Sequence, residues 1–484
     1  MSQWLAQAAQ KHPSTIALDD GDLRLDYRSL ARRAAARAAH LRALGIGRGD
    51  RVVLPVQTTI ETTLWIHALL WLGAPVIPVS PTLRPGAIEA IWRHLEPRAL
   101  IAGDAGWLAA AKGREQAPED GVVVDATQPI DAAGADPALL PCDDASRVAT
   151  ILLTSGSSAA PKAVPLTLRH HAASAFAVAR RLGLDASDRW LLSLPLNHIG
   201  GLAVLLRSVI FGSAVVLQRR FDAHEFGERI ARDRITLSSV VPSMLDDLMR
   251  SGTPLPPGPL RGILVGGART GPGLLSRARR AGWPVIPTWG MTETASQLAT
   301  PGIEAAARMK HPAHEAPPLP PLDGVEVRSA PSGRLQVRGP MVFDGYLGDP
   351  APGPDADGWF TTGDRGVIES DGSVRVLGRA DDVIISGGLN VHLDAVARQL
   401  ADCPLIAEAA TAAVDDERWG QRIAAAVVAS DPAESPEGLL GALDRWARRN
   451  LAPEERPVRW RIVERIPRSS TGKPIRAAVT TLFE

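Results

Sequence analysis

The chain has 484 residues, 45% of them hydrophobic and 22% charged, and its 53 lysines and arginines are matched by 53 aspartates and glutamates. That length calls for two or more domains, and the charge balance gives no case for nucleic acid or an anionic membrane surface as partner. The two cysteines, Cys142 and Cys403, lie far apart in no metal-ligand spacing, no basic start with an apolar core opens the chain, and no apolar run approaches a membrane span, so a reducing cytoplasm is expected.

Helical and extended stretches alternate from the N-terminus. DYRSLARRAAARAAHLRALG reads as a helix closed by a glycine cap, RVVLPV as a strand, TTIETTLWIHALLWLG as a helix and APVIPVS as a strand. RPGAIEAIWRHL and ALIAGD repeat the pair, and the apolar run VATILL then leads into TSGSSAAPK. The rhythm continues through AVPLTLRHHAASAFAVARRLG, WLLSLPL, VVLQRR and FDAHEFGERIARDRI. Strands alternating with helices of this length predict parallel-type sheets covered by helices. Residues 301–322 are proline-rich without a period and predict a long loop or mobile segment. From Asp323 the pattern changes to short strands, with a hairpin-type turn at Asp371-Gly372. After Gly378, helices (LDAVARQLA, EGLLGALDRWARRNL) mix with strands (RIAAAVVAS, VRWRIVE). The expected fold is therefore α/β plus α+β. A large N-terminal domain, 1–380, includes a small β-rich part, and a small mobile α+β domain, 381–484, follows.

TSGSSAAPK (Thr154–Lys162) follows a strand with small hydroxyl residues, a proline and a lysine. It is no Walker A loop, because Pro161 precedes Lys162 and Ala163 follows it. Four further stretches are each ambiguous alone. WGMTET (Trp289–Thr294) could be a strand end capped into a helix, and TGD (Thr362–Asp364) a turn. GRADD (Gly378–Asp382) could be a surface charge cluster, and PRSSTGK (Pro467–Lys473) a basic loop.

In this order and spacing the five stretches resemble the adenylate-forming superfamily of acyl- and aryl-CoA synthetases, peptide-synthetase adenylation domains and luciferases. The resemblance runs from the helix around Tyr27 to Lys473. It implies ATP and Mg²⁺ as cofactors and CoA as co-substrate. It also implies a reaction in which a carboxylate displaces pyrophosphate to form an acyl-adenylate. Charge builds on the α-phosphate in that step, so positioning and electrostatics carry the catalysis.

By the same resemblance, Thr154, Ser155, Gly156, Ser157, Ser158 and Lys162 cradle the phosphates. Trp289, with Gly290 and Met291, meets the adenine; Thr292 binds the α-phosphate and Glu293 holds Mg²⁺. Gly266, Gly267 and Ala268 flank adenine and substrate, Asp364 takes the ribose hydroxyls, and Arg379 the ribose or phosphate. Lys473 matches the adenylation lysine. Asp381 matches a hinge about which the C-terminal domain rotates before thiol attack, and Ser386, Gly387 and Gly388 line the pantetheine path. The chain departs from the family at Ala159 and Ala163, usually glycine. It departs again at Leu389, His392, Leu393 and Ala397, usually Glu, Tyr, Pro and Glu.

LPLNHIGGLAVLLRSVIFGSAVV speaks to the acid. His198 follows a strand, Gly200 and Gly201 open an apolar helix, and Arg207 is its one cation. A lone buried cation is unfavourable unless paired, and no acid lies within the helix. This segment and the stretch through WGMTETASQLAT are most similar to the o-succinylbenzoate–CoA ligases of menaquinone biosynthesis. In that family's substrate the succinyl carboxylate is activated and the benzoate carboxylate needs a partner. The resemblance thus places Arg207 near the benzoate, with His198 closing the pocket and Ser296 and Gln297 lining it. Another aryl- or medium-chain acyl-CoA synthetase, or an adenylation enzyme loading a carrier protein, stands as the alternative. Small molecules are the expected partners, without nucleic acid or an integral membrane segment, and homo-oligomerisation is left open.

Overall fold

A computed structural model describes residues 4–83, 91–104, 106–107, 121–132, 144–154, 162–268, 270, 272–309, 316–348, 352–380, 383–386, 389–416, 419–431, 436–469, 472 and 474–484. By packing, the chain forms two compact units. One comprises residues 1–328, 336–361 and 369–374, and the other residues 329–335, 362–368 and 375–484.

The first unit is built on two mostly parallel sheets. The seven-stranded sheet uses β1 (Ile16–Asp19), β2 (Arg24–Asp26), β9 (Arg189–Leu192), β10 (Ala214–Leu217), β11 (Leu237–Val240), β12 (Gly262–Val265) and β13 (Val285–Pro287). Their order is β13-β12-β11-β9-β10-β1-β2, and only the edge strand β2 runs antiparallel. The six-stranded sheet has the order β6-β5-β3-β4-β7-β8. It is made of β3 (Val52–Pro55), β4 (Val76–Val79), β5 (Ala99–Ala102), β6 (Val122–Asp125), β7 (Val148–Thr154) and β8 (Lys162–Thr167). Here β8 folds back antiparallel on β7, so the alternating pattern in the sequence does not extend to this edge.

Local chemistry sets the helix boundaries. Thr59 and Thr167 accept backbone hydrogen bonds from Thr62 and His170, and Gly73 (φ 83°) and Gly183 (φ 62°) close the same two helices. The helix Ile60–Leu72 is buried all round except at Glu61, which pairs with Arg37 at 2.6 Å. Leu191 and Ile263 of the seven-stranded sheet pack with Phe226, Ile230, Leu245 and Trp283 into one core.

The proline-rich stretch is more ordered than its composition predicts. Ile303–Arg308 is helical, and Leu319 and Pro321 form bridges to Val374 and Ala299. The Arg181 guanidinium donates to the carbonyls of Thr300, Pro320 and Pro321, supplying partners that prolines cannot provide for each other. Residues 310–315 lie outside the described set.

Beyond it the chain runs through β16 (Glu326–Ser329), β17 (Arg334–Arg338), β18 (Phe360–Ile368) and β19 (Val374–Arg379), in that order in one sheet. Gly372 (φ 83°) forms the predicted tight turn between the last two. The second unit carries β20 (Val383–Ser386), β21 (Leu389–His392), β22 (Ile406–Asp416), β23 (Gly420–Ala429) and β24 (Arg459–Ile462). The helices Leu393–Ala401 and Pro436–Asn450 contribute Val396, Leu400, Leu439 and Leu443 to a core shared with Ile384, Ile423 and Val427. This is the expected small α+β domain.

Candidate active site

Neighbouring parallel strands β9, β11, β12 and β13 end on one edge of the seven-stranded sheet, the edge where open α/β sheets receive ligands. His198 follows β9, Gly266–Ala268 follow β12, and Trp289 follows β13. A side chain at Gly266 would place its Cβ 2.6 Å from Thr288 Cγ2, and Gly267 sits at φ 78°. Both positions therefore depend on glycine.

Trp289 opens a short hairpin of β14 (Trp289–Met291) and β15 (Ser296–Ala299), with Gly290 opposite Gln297 and Met291 opposite Ser296. A Cβ on Gly290 would lie 2.0 Å from the Ser296 carbonyl oxygen, so only glycine allows this approach. The connecting turn, Thr292–Thr294, ends in two successive non-glycine residues with positive φ, Ala295 (49°) and Ser296 (125°). Such conformations cost about 1–3 kcal/mol each and persist where the surroundings enforce them. The enforcing group is Thr294. Its fully buried hydroxyl accepts from Met291 N at 3.2 Å and lies 3.1 and 3.0 Å from the Met291 and Ser296 carbonyl oxygens.

That turn presents Thr292 and Glu293, both half-buried. The Tyr346 hydroxyl donates to Glu293 Oε1 at 2.8 Å, and Phe343 N donates to the Glu293 carbonyl at 2.8 Å. Lys162, the first residue of β8, places Nζ 4.9 Å from the centroid of the Tyr346 ring. Thr154 pairs with Lys162 across the β7–β8 end. Ser155, Gly156, Ser157 and Ser158, between them, lie outside the described residues. Among the described residues no three His, Cys, Asp or Glu side chains gather as a metal cage. Glu293 alone offers a hard carboxylate oxygen, which fits a magnesium ion that takes its remaining ligands from nucleotide and water. Trp289 is only 7% exposed.

The other arm of the hairpin meets the helix Ile199–Phe211. Gly201 is required there because a Cβ would fall 2.4 Å from the Pro195 carbonyl oxygen, while Gly200 packs against Leu194. His198 caps the helix by position. Its Nε2 lies 3.3 Å from Asn197 Nδ2, and burial pushes its pKa below the usual histidine range.

Arg207 is 3% exposed. Its Nη2 donates to Gln297 Oε1 at 2.9 Å, and its guanidinium carbon lies 5.2 Å from the Trp190 ring centroid. Its Nε has no hydrogen-bond partner, and no carboxylate among the described residues pairs with it. Burial lowers its pKa to about 9, so it stays cationic at neutral pH. The Ser296 hydroxyl joins this group through Gln297 Oε1 at 3.3 Å. Gln297 faces Gly290 across the hairpin, so one element carries both the Arg207 partner and the turn bearing Glu293.

The second unit holds the remaining predicted residues. Arg379 Nη1 lies 3.7 Å from Asp364 Oδ1, and Gly363 is the residue that lets the guanidinium lie against the backbone, since a Cβ there would fall 2.4 Å from it. Ser386 ends β20, fully buried, with its Oγ unpartnered. Asp381, Gly387, Gly388 and Lys473 lie outside the described residues. The chain flanking Lys473 is a pinned turn. Gly472 (φ 73°) donates to the Ser469 carbonyl, and Arg468 bridges the Gly472 carbonyl at 2.6 Å and Glu408 at 2.8 Å.

Two residues escaped the motif reading: Trp190, which faces Arg207, and Tyr346. The second had a signal, being one of only two tyrosines in the chain.

The AMP-binding enzyme family matches residues 5–347 and the AMP-binding enzyme C-terminal domain matches residues 396–473; the chain belongs to this family of adenylate-forming enzymes. Among its relatives is the 2-succinylbenzoate–CoA ligase of Bacillus licheniformis, 34% identical over 98% of both chains. The ligase of the same name from Geobacillus kaustophilus is 35% identical over 100% of this chain and 98% of its own. The o-succinylbenzoate CoA synthetase from Bacillus subtilis, solved in complex with the acyl-adenylate intermediate OSB-AMP, superposes with a TM-score of 0.87 at 29% identity, covering 99% of this chain and 97% of that one. The same enzyme is also solved with ATP and magnesium ion, at a TM-score of 0.86 and 28% identity over 99% of each chain. No helix among the described residues is long and apolar enough to cross a membrane.

Proposed function

We propose that this chain is an ATP-dependent acid–CoA ligase acting on 2-succinylbenzoate. The succinyl carboxylate attacks the α-phosphorus of ATP and pyrophosphate leaves. The CoA thiol then attacks the adenylate carbonyl, losing its proton, and AMP leaves with the bond electrons. The relatives named for this reaction span nearly the whole chain, which supports the reading over its full length.

The motifs' resemblance to the family and the chemistry of the side chains support the following roles. Lys162 and the Thr154 loop bind the outer phosphates, Thr292 the α-phosphate, and Asp364 and Arg379 the ribose end. Glu293 would hold a magnesium ion, which when bound would neutralise charge on the phosphates. Lys473, the family's adenylation lysine by motif, bridges the attacking carboxylate and the phosphate. We assign the division of labour to a 1–380 domain and a 381–484 domain. Asp381 is the hinge between the two half-reactions, and Ser386, Gly387 and Gly388 border the thiol path.

The observation that carries the choice of acid is Arg207, a buried cation bonded to an amide rather than a carboxylate. The guanidinium is desolvated before any substrate arrives, so a second carboxylate on the acid gains a full charge-assisted partner. Gln297 and Ser296 orient that guanidinium, and His198 stands at the N-terminal end of the helix that carries it. A monocarboxylic fatty acid offers it nothing. Arg207→Ala is expected to lower kcat/KM for 2-succinylbenzoate about 100-fold, chiefly through KM. Turnover of the analogue lacking the ring carboxylate should change less than about threefold, since that acid never engages the guanidinium. Equal losses on both acids would remove Arg207 from acid recognition.

A further inference from the structure

Lys162 and Glu293 are the two charged groups of the first unit to which the proposed function gives the phosphates and the metal. They belong to distant parts of the sequence, yet one five-residue segment holds both. Phe343 N donates to the Glu293 carbonyl and Leu347 N to the Ala163 carbonyl, so residues 343–347 clamp the turn bearing the carboxylate to the strand bearing the lysine. Between these two backbone bonds stands Tyr346. Its hydroxyl meets Glu293 Oε1 at 2.8 Å, and its ring face meets the Lys162 ammonium at 4.9 Å from the centroid. Phe343 packs edge-on against the same ring at 4.8 Å, fixing its plane.

An ammonium and a carboxylate brought to opposite parts of one side chain attract strongly in a half-buried setting. Nevertheless, among the described residues no ion pair within 4.0 Å joins Lys162 to Glu293. The geometry explains why. The carboxylate is satisfied by a neutral donor, and the ammonium by a π face, neither of which removes the charge.

We propose that Tyr346 is a positioning residue, a neutral spacer that keeps Glu293 and Lys162 from neutralising each other, so that the metal and the phosphates each meet a fully charged partner. This rests on the reading of Glu293 as the metal ligand and Lys162 as a phosphate ligand. Without the spacer the two side chains close on each other, and the metal–nucleotide complex must first break their ion pair.

The test is a cycle of variants read by direct binding of Mn²⁺, followed by its paramagnetic signal with a non-hydrolysable ATP analogue at saturation. Tyr346→Phe keeps the ring and its packing, so its melting temperature is expected to match that of the unaltered protein. Its half-saturating Mn²⁺ concentration should rise about tenfold, as for loss of one hydrogen bond to a charged group. In a Lys162→Met background the same Tyr346→Phe change should move Mn²⁺ binding by less than about twofold, because no ammonium remains to capture the carboxylate. An unchanged Mn²⁺ titration in Tyr346→Phe, or the same loss in both backgrounds, would overturn the spacer. Glu293→Gln reports separately on the underlying reading: if it leaves Mn²⁺ binding intact, the metal assignment itself fails.

Discussion

Burial at single positions determines how much of this protein's chemistry is held in reserve. Arg207 stays charged despite burial, whereas two buried histidines stay neutral. His67 lies in the helix Ile60–Leu72 with its Nε2 unpartnered, and burial lowers its pKa to about 4. His171 bonds the Thr150 hydroxyl through Nε2 at 2.9 Å and is lowered to about 3, first by burial and then by His170. A base whose folded pKa is depressed binds fewer protons folded than unfolded in the window between the two values. Its contribution is therefore complete above the unfolded value near 6.5 and is lost as pH falls toward the folded one. Each such group should add a slope of about 1.4 kcal/mol per pH unit across that window. Urea unfolding near pH 7 and about pH 5 measures it, and His67→Leu should reduce the stability lost between them by about 2 kcal/mol. Parallel losses in the two proteins would show that His67 already titrates in the folded state.

The central element is the Trp289–Ala299 hairpin. It joins the turn bearing Glu293 to Gln297, the partner of Arg207, through a backbone approach that tolerates no side chain at Gly290. Gly290→Ala should force the strands apart and displace Glu293 and Gln297 together. A misplacement of about 1 Å can reduce turnover on the order of 100-fold, so adenylation should fall by about that factor while the rest of the fold persists. Wild-type pyrophosphate release by the variant would mean that the hairpin is not the coupling element. The WGMTET stretch was legible as a motif because its residues are contiguous, but the hairpin was not, since the sequence read as a strand end capped into a helix and the chain instead returns as β15. Arg207, a single cation in an apolar helix, was legible too. Its partner was not, since only the register of β14 and β15 brings Gln297 under the guanidinium. The Lys162–Tyr346–Glu293 group was hidden for the same reason, since long-range backbone bonds create it. The order in residues 316–322 was hidden too, because its donors come from Arg181 in a remote helix.

At the scale of the whole molecule, two units of different architecture serve one sequence of reactions. The first holds Lys162, Glu293, Arg207 and Gln297 on elements around its parallel sheets, and the second holds Asp364 and Arg379. The parallel sheets were expected from alternating strands and helices, while the antiparallel pairing of β8 with β7 was not. The full two-step reaction tests the account better than either half. The decisive measurement is product analysis of the intact protein with ATP, Mg²⁺, CoA and a panel of acids. The account predicts 2-succinylbenzoyl-CoA, AMP and pyrophosphate in equal amounts, with kcat/KM for 2-succinylbenzoate at least about 100-fold above that for benzoate or octanoate. Equal use of all three acids, or no pyrophosphate with any of them, would contradict it.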